Sequence, residues 1–290
     1  LNDPATMDLI IGAVAVSFEI AAIVTVIDFI AGLPVAWMMA RKEFRGKQFL
    51  DTLIDMPLAV PTAALGFSAA IFWAATPNPP PFSLAVISSP MLLIILLHVV
   101  FSYPYMVRSL TAILGGIDET YETAGRTLGA SRLTAVRTIT LPLFRAGLVT
   151  GAILCFARSL SETGGTIIAL ATLYGRKMVE GDFQTGPTLI GLWKDASVSD
   201  PSLLPALAFV SILLIVLALV LLLVLKVVIM KVRLPLRKVW PTPEKLLSRG
   251  LFPKFKDSSA VLFLAAIVLV PSFFIFTYVF TGTPAQADWG

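Results

Sequence analysis

Apolar residues run in long blocks along this chain, and polar residues collect between them. Six blocks approach or exceed the roughly 20 residues a helix needs to cross a hydrocarbon core: 9–40, 49–75, 90–114, 141–173, 201–230 and 258–280. The first is longer than a span requires, which implies tilt or a projecting end. Pro57 and Pro61 interrupt the second. Backbone polar groups facing lipid must be paired within their own segment, so the blocks are read as helices. The pattern predicts an all-α integral membrane protein with six transmembrane helices.

Composition agrees. The 290 residues are 57% hydrophobic and 14% charged, with a mean hydropathy of +0.88; soluble domains carry about 25% charged residues. One cysteine, Cys155, excludes an internal disulfide and any zinc or iron–sulfur site built on several cysteines. One histidine, His98, removes most metal sites and His-based catalytic sets. The net charge of +4 would suggest nucleic acid only if the basic residues shared one face. They follow membrane topology instead.

Of the 22 Lys and Arg residues, 18 fall in three connections. Four lie in 41–48, five in 108–145 and nine in 226–256; the opposite side has Arg176, Lys177 and Lys194, and Arg158 lies within a span. The positive-inside rule places the basic connections in the cytoplasm and both termini outside, in a plasma-membrane protein. No secretory signal pattern opens the chain, 78–81 reads as a rigid external turn, and no internal repeat is apparent.

The most informative stretch is cytoplasmic: Asp118-Glu-Thr-Tyr-Glu-Thr-Ala-Gly-Arg-Thr-Leu-Gly-Ala-Ser-Arg, continuing to Ile139-Thr-Leu-Pro142. Asp118 suits the start of a helix, with Glu119 and Glu122 favourable in its first turns. Tyr121, Ala124 and Leu128 give that helix an apolar face. Gly129 suits the left-handed residue that ends it, and a second helix is expected to end at Pro142. A helix this short does not cross a membrane; an apolar face between charged flanks is built to enter a groove on a partner.

This segment resembles the cytoplasmic loop of ABC importer permeases, whose pattern is E-A-A, three residues, G, nine residues, I-x-L-P. Here Glu122-Thr123-Ala124, Gly129, Ile139, Leu141 and Pro142 stand at those intervals, with Thr123 in place of the middle alanine. Leu33 to Lys47, Asp55 to Pro61 and Phe156 to Gly165 are similar to segments of molybdate, tungstate and sulfate permeases, so the resemblance covers about residues 8–230. It implies a type I importer permease fold with a five-helix core, a homodimer of permease subunits, two cytoplasmic ABC ATPases and an external oxyanion-binding protein. The ATPase-coupling residues it implies are Glu119, Glu122, Thr123, Ala124, Leu128, Gly129, Ile139, Leu141 and Pro142. No cofactor is expected on this chain: ATP and Mg belong to the partner ATPase, since no phosphate-cradling glycine loop with Lys occurs here. Molybdate or tungstate is the expected cargo, with sulfate or phosphate as alternatives, and a secondary transporter or membrane enzyme as the competing classes.

One part departs from the pattern. The family's usual basic tail and first outward helix do not precede the first block, whereas basic 231–257 precedes an outward helix at 258–280 and an external tail to 290. Three regions follow: a core at 1–230 with its coupling loop at 115–142, a basic segment, and one additional helix. That helix is read as a permuted first helix, or as an effect of numbering, against a plain extra C-terminal helix. As a first helix it would stand away from the fifth span and contact the partner subunit, and mid-span Pro271 would bend it.

Arg158 and Glu162 lie four apart within a span, where ionisable groups need a partner or water. They read as an ion pair or, with Ser159 and Thr163, as residues of the translocation path. Glu19 and Asp28 share no helix face and receive no role. His98 and Cys155 read as packing residues. The 174–200 loop, with Arg176, Lys177, Trp193 and Lys194, is the expected dock for the binding protein.

Overall fold

A computed structural model describes residues 4–75, 79–174, 183–231 and 252–281. Among the described residues the ordered elements are helices, with one isolated bridge between Ala74 and Ile87. Four helices are long and apolar enough to cross a membrane: Pro4–Arg41, Pro90–Gly115, Pro201–Val227 and Phe255–Thr277. Two bent pairs bring the number to six.

The first helix, α1 (Pro4–Arg41), is about 57 Å long at 1.5 Å per residue, so it exceeds the bilayer core as its apolar block implied. Gly46, at φ 89°, turns the chain into α2 (Lys47–Ala59). The expected second span does not continue straight. Val60 is extended because the ring of Pro61 disfavours a helical residue before it, so α3 (Thr62–Trp73) leaves at 104° to α2. Next, α4 (Pro90–Gly115) starts with Ser89 accepting a hydrogen bond from Leu92 N and Pro90 in the first turn.

On the basic side the chain makes the short α5 (Thr120–Thr127) and α6 (Arg132–Ala135). A wide π-type turn, Val136–Thr140, leads without a break into α7 (Leu141–Leu160). Pro142 therefore does not end a helix: it sits at the junction of the wide turn with α7. The fourth expected span is not one helix either. It stops at Leu160 and resumes as α8 (Gly164–Tyr174).

The 174–200 region is not an open loop. It contains α9 (Gly186–Ala196), begun by a reciprocal cap between Thr185 and Thr188 with Pro187 in the first turn. A short 3-10 turn, Pro201–Leu203, opens α10 (Leu204–Lys231), of which few described residues are buried, as suits lipid. The last helix comprises α11 (Phe252–Phe263), a wide turn Leu264–Leu269 and α12 (Val270–Thr281).

One core joins most of these elements. Ile20 and Val24 of α1, Ala70 of α3, Leu97 and Met106 of α4, Phe144 of α7 and Leu264 and Val268 of the last helix belong to it. The last helix packs against α1, α3 and α4, whereas α10 packs against α7 and α9. Residues 258–281 are thus continuous with the core instead of lying behind α10. The basic 232–251 segment and the tail after 281 lie outside the described residues.

Candidate functional site

The short helix α5 is fixed at both ends. At its start, Asp118 Oδ1 accepts hydrogen bonds from Thr120 Oγ1 at 2.6 Å and Thr120 N at 2.8 Å, which hold its carboxyl below the usual carboxylate range. At its end, Ala130 N donates to Gly125 O at 3.1 Å and Gly129 N to Arg126 O at 3.0 Å, with Gly129 at φ 91°. This is a Schellman closure, and it needs the left-handed residue that the glycine supplies.

Its inner face rests on the wide turn before α7. A methyl group at Gly125 would stand 2.7 Å from Ile139 Cδ1, so the glycine is what lets the two segments touch. Thr140 Oγ1 donates to Glu122 Oε1 at 2.7 Å. Arg41, at the end of α1, donates to Ile117 O at 2.7 Å and lies 3.6 Å from Glu119 and 3.8 Å from Glu122. Its side chain is only 6% exposed. In the sequence Arg41 reads only as a basic residue of 41–48 and of a segment similar to the permeases; its place at the C-terminus of a long helix, where a cation is favoured, is the signal for this anchoring role. The outer face is left bare. Thr123 and Ala124 are exposed, Tyr121 is 57% exposed and Leu128 is 89% exposed. Leu141 and Pro142 lie at the start of α7, with Pro142 exposed.

Deeper in the fold, a polar network ties four helices together. His98 of α4 places Nδ1 2.9 Å from Ser159 Oγ of α7 and Nε2 2.9 Å from Thr166 Oγ1 of α8. One turn on, the Ser102 hydroxyl lies 2.5 Å from Asp28 Oδ2 of α1 and 2.7 Å from His98 O. Cys155 Sγ donates to the same carboxylate oxygen at 3.1 Å. All these side chains are buried, and Asp28 Oδ1 has no hydrogen-bond partner among the described residues. Asp28 has no role legible in the sequence, and His98 and Cys155 read there as packing residues; their partners come from other helices, which spacing along one helix does not reveal.

Arg158 and Glu162 do pair, at 2.7 Å. Glu162 lies beyond the end of α7, in the break before α8, and its Oε1 accepts from Gly165 N at 2.9 Å. The Arg158 guanidinium also lies 5.3 Å from the centre of the Phe101 ring. Its charge is therefore met inside the protein. Thr163 faces α9, 3.3 Å from where a side chain at Gly191 would begin.

A family described as "binding-protein-dependent transport system inner membrane component" matches residues 32–234, more than half of the chain. The chain belongs to this family. It is 31% identical over 176 residues to the molybdenum transport system permease protein ModB of Escherichia coli K12, covering 56% of this chain and 73% of that protein. It is 32% identical over 168 residues to the sulfate transport system permease protein CysT of Salmonella typhimurium, covering 57% and 61%. The molybdate/tungstate transport system permease protein WtpB of Pyrococcus abyssi is also 32% identical over 168 residues, covering 58% and 62%. The match takes in the end of α1 through α10, with α5 at its centre, and leaves out the last helix.

On the side of this permease opposite its basic connections, the expected docking residues separate. Arg176 and Lys177 lie outside the described residues. Lys194 is exposed, 3.8 Å from the exposed Asp195. Trp193 instead packs against the cluster of Ile10, Val14, Leu189 and Val210 that joins α1, α9 and α10. Its indole is half-buried between three helices.

Proposed function

We propose that this permease is the transmembrane subunit of an ATP-driven, binding-protein-dependent importer of a tetrahedral oxyanion, most directly molybdate or tungstate. The observation that carries the transport reading is α5. It is held rigidly to α1 and to the start of α7 by Arg41, Glu122, Gly125 and Thr140, while Tyr121, Ala124 and Leu128 point away from the protein. A helix so anchored on one face and bare on the other suits a partner's groove, and a push on it is transmitted directly to two core helices.

In this reading two copies of the chain pair in the plasma membrane, with the basic connections in the cytoplasm and both termini outside. Each α5 enters a cytoplasmic ABC ATPase that carries ATP and Mg, and an external receptor delivers the anion. ATP binding and hydrolysis then drive alternation between inward- and outward-facing states. The cargo rests on the names of the relatives, which include molybdate, tungstate and sulfate systems. The pairing of Arg158 with Glu162 argues against a free cation at that point of the path, so selectivity is assigned to the receptor. The test is uptake by the reconstituted permease, ATPase and receptor with molybdate, tungstate, sulfate and phosphate compared. ATP-dependent uptake of molybdate or tungstate is expected; uptake without the ATPase would overturn the reading.

A further inference from the structure

The connection between α3 and α4 has an unusual surface. Phe82 is 81% exposed, and Leu84 and Val86 are also exposed, whereas Ser83 and Ala85 are half-buried and Ile87 is buried. Three large apolar side chains thus leave the protein at every second residue.

The backbone beneath them is firmly placed. Leu84 N and Ala85 N donate to Phe72 O at 2.9 and 3.1 Å, Ile87 N donates to Trp73 O at 2.9 Å, and Ala75 N donates to Ile87 O at 2.8 Å. Phe82 and Ala85 take positive φ, 67° and 46°, which strains residues with a side chain. Strain held by four backbone bonds means that the segment is fixed with its apolar residues outward; it does not expose them by collapsing loosely.

Its depth follows from α4. From Pro90 to Arg108, the first charged residue of that helix, is 18 residues, about 27 Å, close to the thickness of a hydrocarbon core. With Arg108 at one boundary, where it binds Asp51 and Asp55, Pro90 reaches the other. Residues 84–87 bond to the end of α3 and lead directly into Pro90, so they lie at that same boundary.

The chemistry suits lipid. No Asp, Glu, Lys or Arg occurs between Asp55 and Arg108, and Pro79, Pro80 and Pro81 remove three backbone donors just before Phe82. The other connection on this side carries exposed Lys194, Asp195 and Asp200. One connection is built for water and the other is not. We infer that residues 82–86 form a membrane anchor: Phe82, Leu84 and Val86 insert into the interfacial region of the leaflet opposite the basic connections. The anchor would hold the α3–α4 junction at fixed depth and leave the charged connection facing a soluble partner.

The test uses the full chain in phosphatidylethanolamine–phosphatidylglycerol vesicles. Nitroxide labels are placed singly at Phe82→Cys, Leu84→Cys, Val86→Cys and, as a water-exposed reference, Val198→Cys; the sole native cysteine, Cys155, is buried. Collisions with oxygen should exceed those with a water-soluble nickel chelate at 82, 84 and 86, and the ratio should reverse at 198. Nickel-dominated relaxation at all four sites overturns the proposal. So does relaxation at 82, 84 and 86 that changes only when a purified binding protein is added, which would make this a receptor surface. Should the cysteine variants fail to insert, Phe82→Trp in lipids brominated near the headgroup gives the same decision. Quenching beyond that of the unsubstituted protein supports the anchor, and equal quenching overturns it.

Discussion

Ser68 of α3 stands inside the hydrogen-bond ladder of the last helix: its hydroxyl donates to Pro271 O at 2.5 Å and accepts from Ile275 N at 2.9 Å. In an uninterrupted α-helix, Ile275 N would bond to Pro271 O directly. Pro271 removes one rung, the wide turn Leu264–Leu269 displaces others, and the serine of a neighbouring helix fills the opening. The Phe72 and Phe274 rings pack beside it at 5.1 Å.

Substituting Ser68 tests how far that insertion holds the helix. In Ser68→Ala the Ile275 N–H can close on Pro271 O, so the expected cost is small, about 0.6 kcal/mol as for an average intramembrane side-chain hydrogen bond. Ser68→Leu forces a bulky side chain against the ladder and should cost about 1–3 kcal/mol. Thermal unfolding in detergent should rank the proteins unsubstituted, Ala, Leu; equal midpoints would show that the contact holds nothing.

Arg41 should matter for coupling more than for insertion. Arg41→Ala removes the donor to Ile117 O and both acidic contacts at the start of α5, a loss of about 1–3 kcal/mol at that joint. Arg41→Lys keeps the charge without the planar fork that reaches three partners, and should recover only part. The readout is ATP hydrolysis against uptake in the reconstituted complex. Hydrolysis that continues while uptake falls is expected; full uptake in Arg41→Ala would remove this anchor from the mechanism.

Gly165 and Gly66 set the separation of α8 and α3. A methyl group at Gly66 would lie 2.3 Å from Gly165 O, and one at Gly165 would lie 2.7 Å from Thr62 O and 2.6 Å from Phe101 Cζ. Two of these neighbours are backbone, which cannot turn aside as a side chain can. Gly165→Ala should therefore destabilise by at least about 1–3 kcal/mol, the range for overpacking. Gly12→Ala, with nothing within 4 Å, should be neutral or slightly stabilising through helix propensity. Similar unfolding midpoints for the two variants would contradict the close approach.

Which elements the sequence made legible has a physical pattern. Blocks of apolar residues announce α1, α4, α10 and the last helix because hydropathy is additive along a segment. Gly129 announced the end of α5 because a left-handed residue is a local requirement. The breaks were harder. Pro61 was visible, yet the 104° turn depends on what α2 and α3 pack against. The stop between Leu160 and Gly164 lies in a small, polar run whose role as a break shows only in the fold, where Glu162 bonds to Gly165 N. The network of Asp28, His98, Ser102, Cys155, Ser159 and Thr166 joins residues up to 127 positions apart, so only the fold brings it together.

His98 is the residue on which that network turns. Replacing it with Ala leaves the Ser159 and Thr166 hydroxyls without their imidazole partner in a buried site and opens a void between α4, α7 and α8. Each lost partner costs about 1–3 kcal/mol and the void adds to it, so His98→Ala should lower the unfolding midpoint clearly. His98→Gln, whose amide offers donors and an acceptor only at its tip, should keep one of the two contacts and recover part of the loss. If Ala and Gln prove equally damaging, packing volume and not hydrogen bonding is what His98 supplies.

The pairing of Lys42 with Asp257 fixes the direction of the last helix. Lys42 follows the last residue of α1 and Asp257 lies in the second turn of α11, 215 positions away, with both side chains half-buried. The contact requires that α1 end and α11 begin on the same side of the membrane, as the distribution of basic residues implied. Lys42→Asp sets two carboxylates together, and Asp257→Lys sets a cation beside Lys42 and Lys256, so each single change should destabilise. The double change restores opposite charges and should recover about 0.5–1 kcal/mol relative to the sum of the two, the coupling expected for a partly exposed pair. The recovery should shrink at high salt, because a pair near the surface is screened. Strict additivity at low salt would mean that the two residues do not meet, and the start of the last helix would have to lie elsewhere.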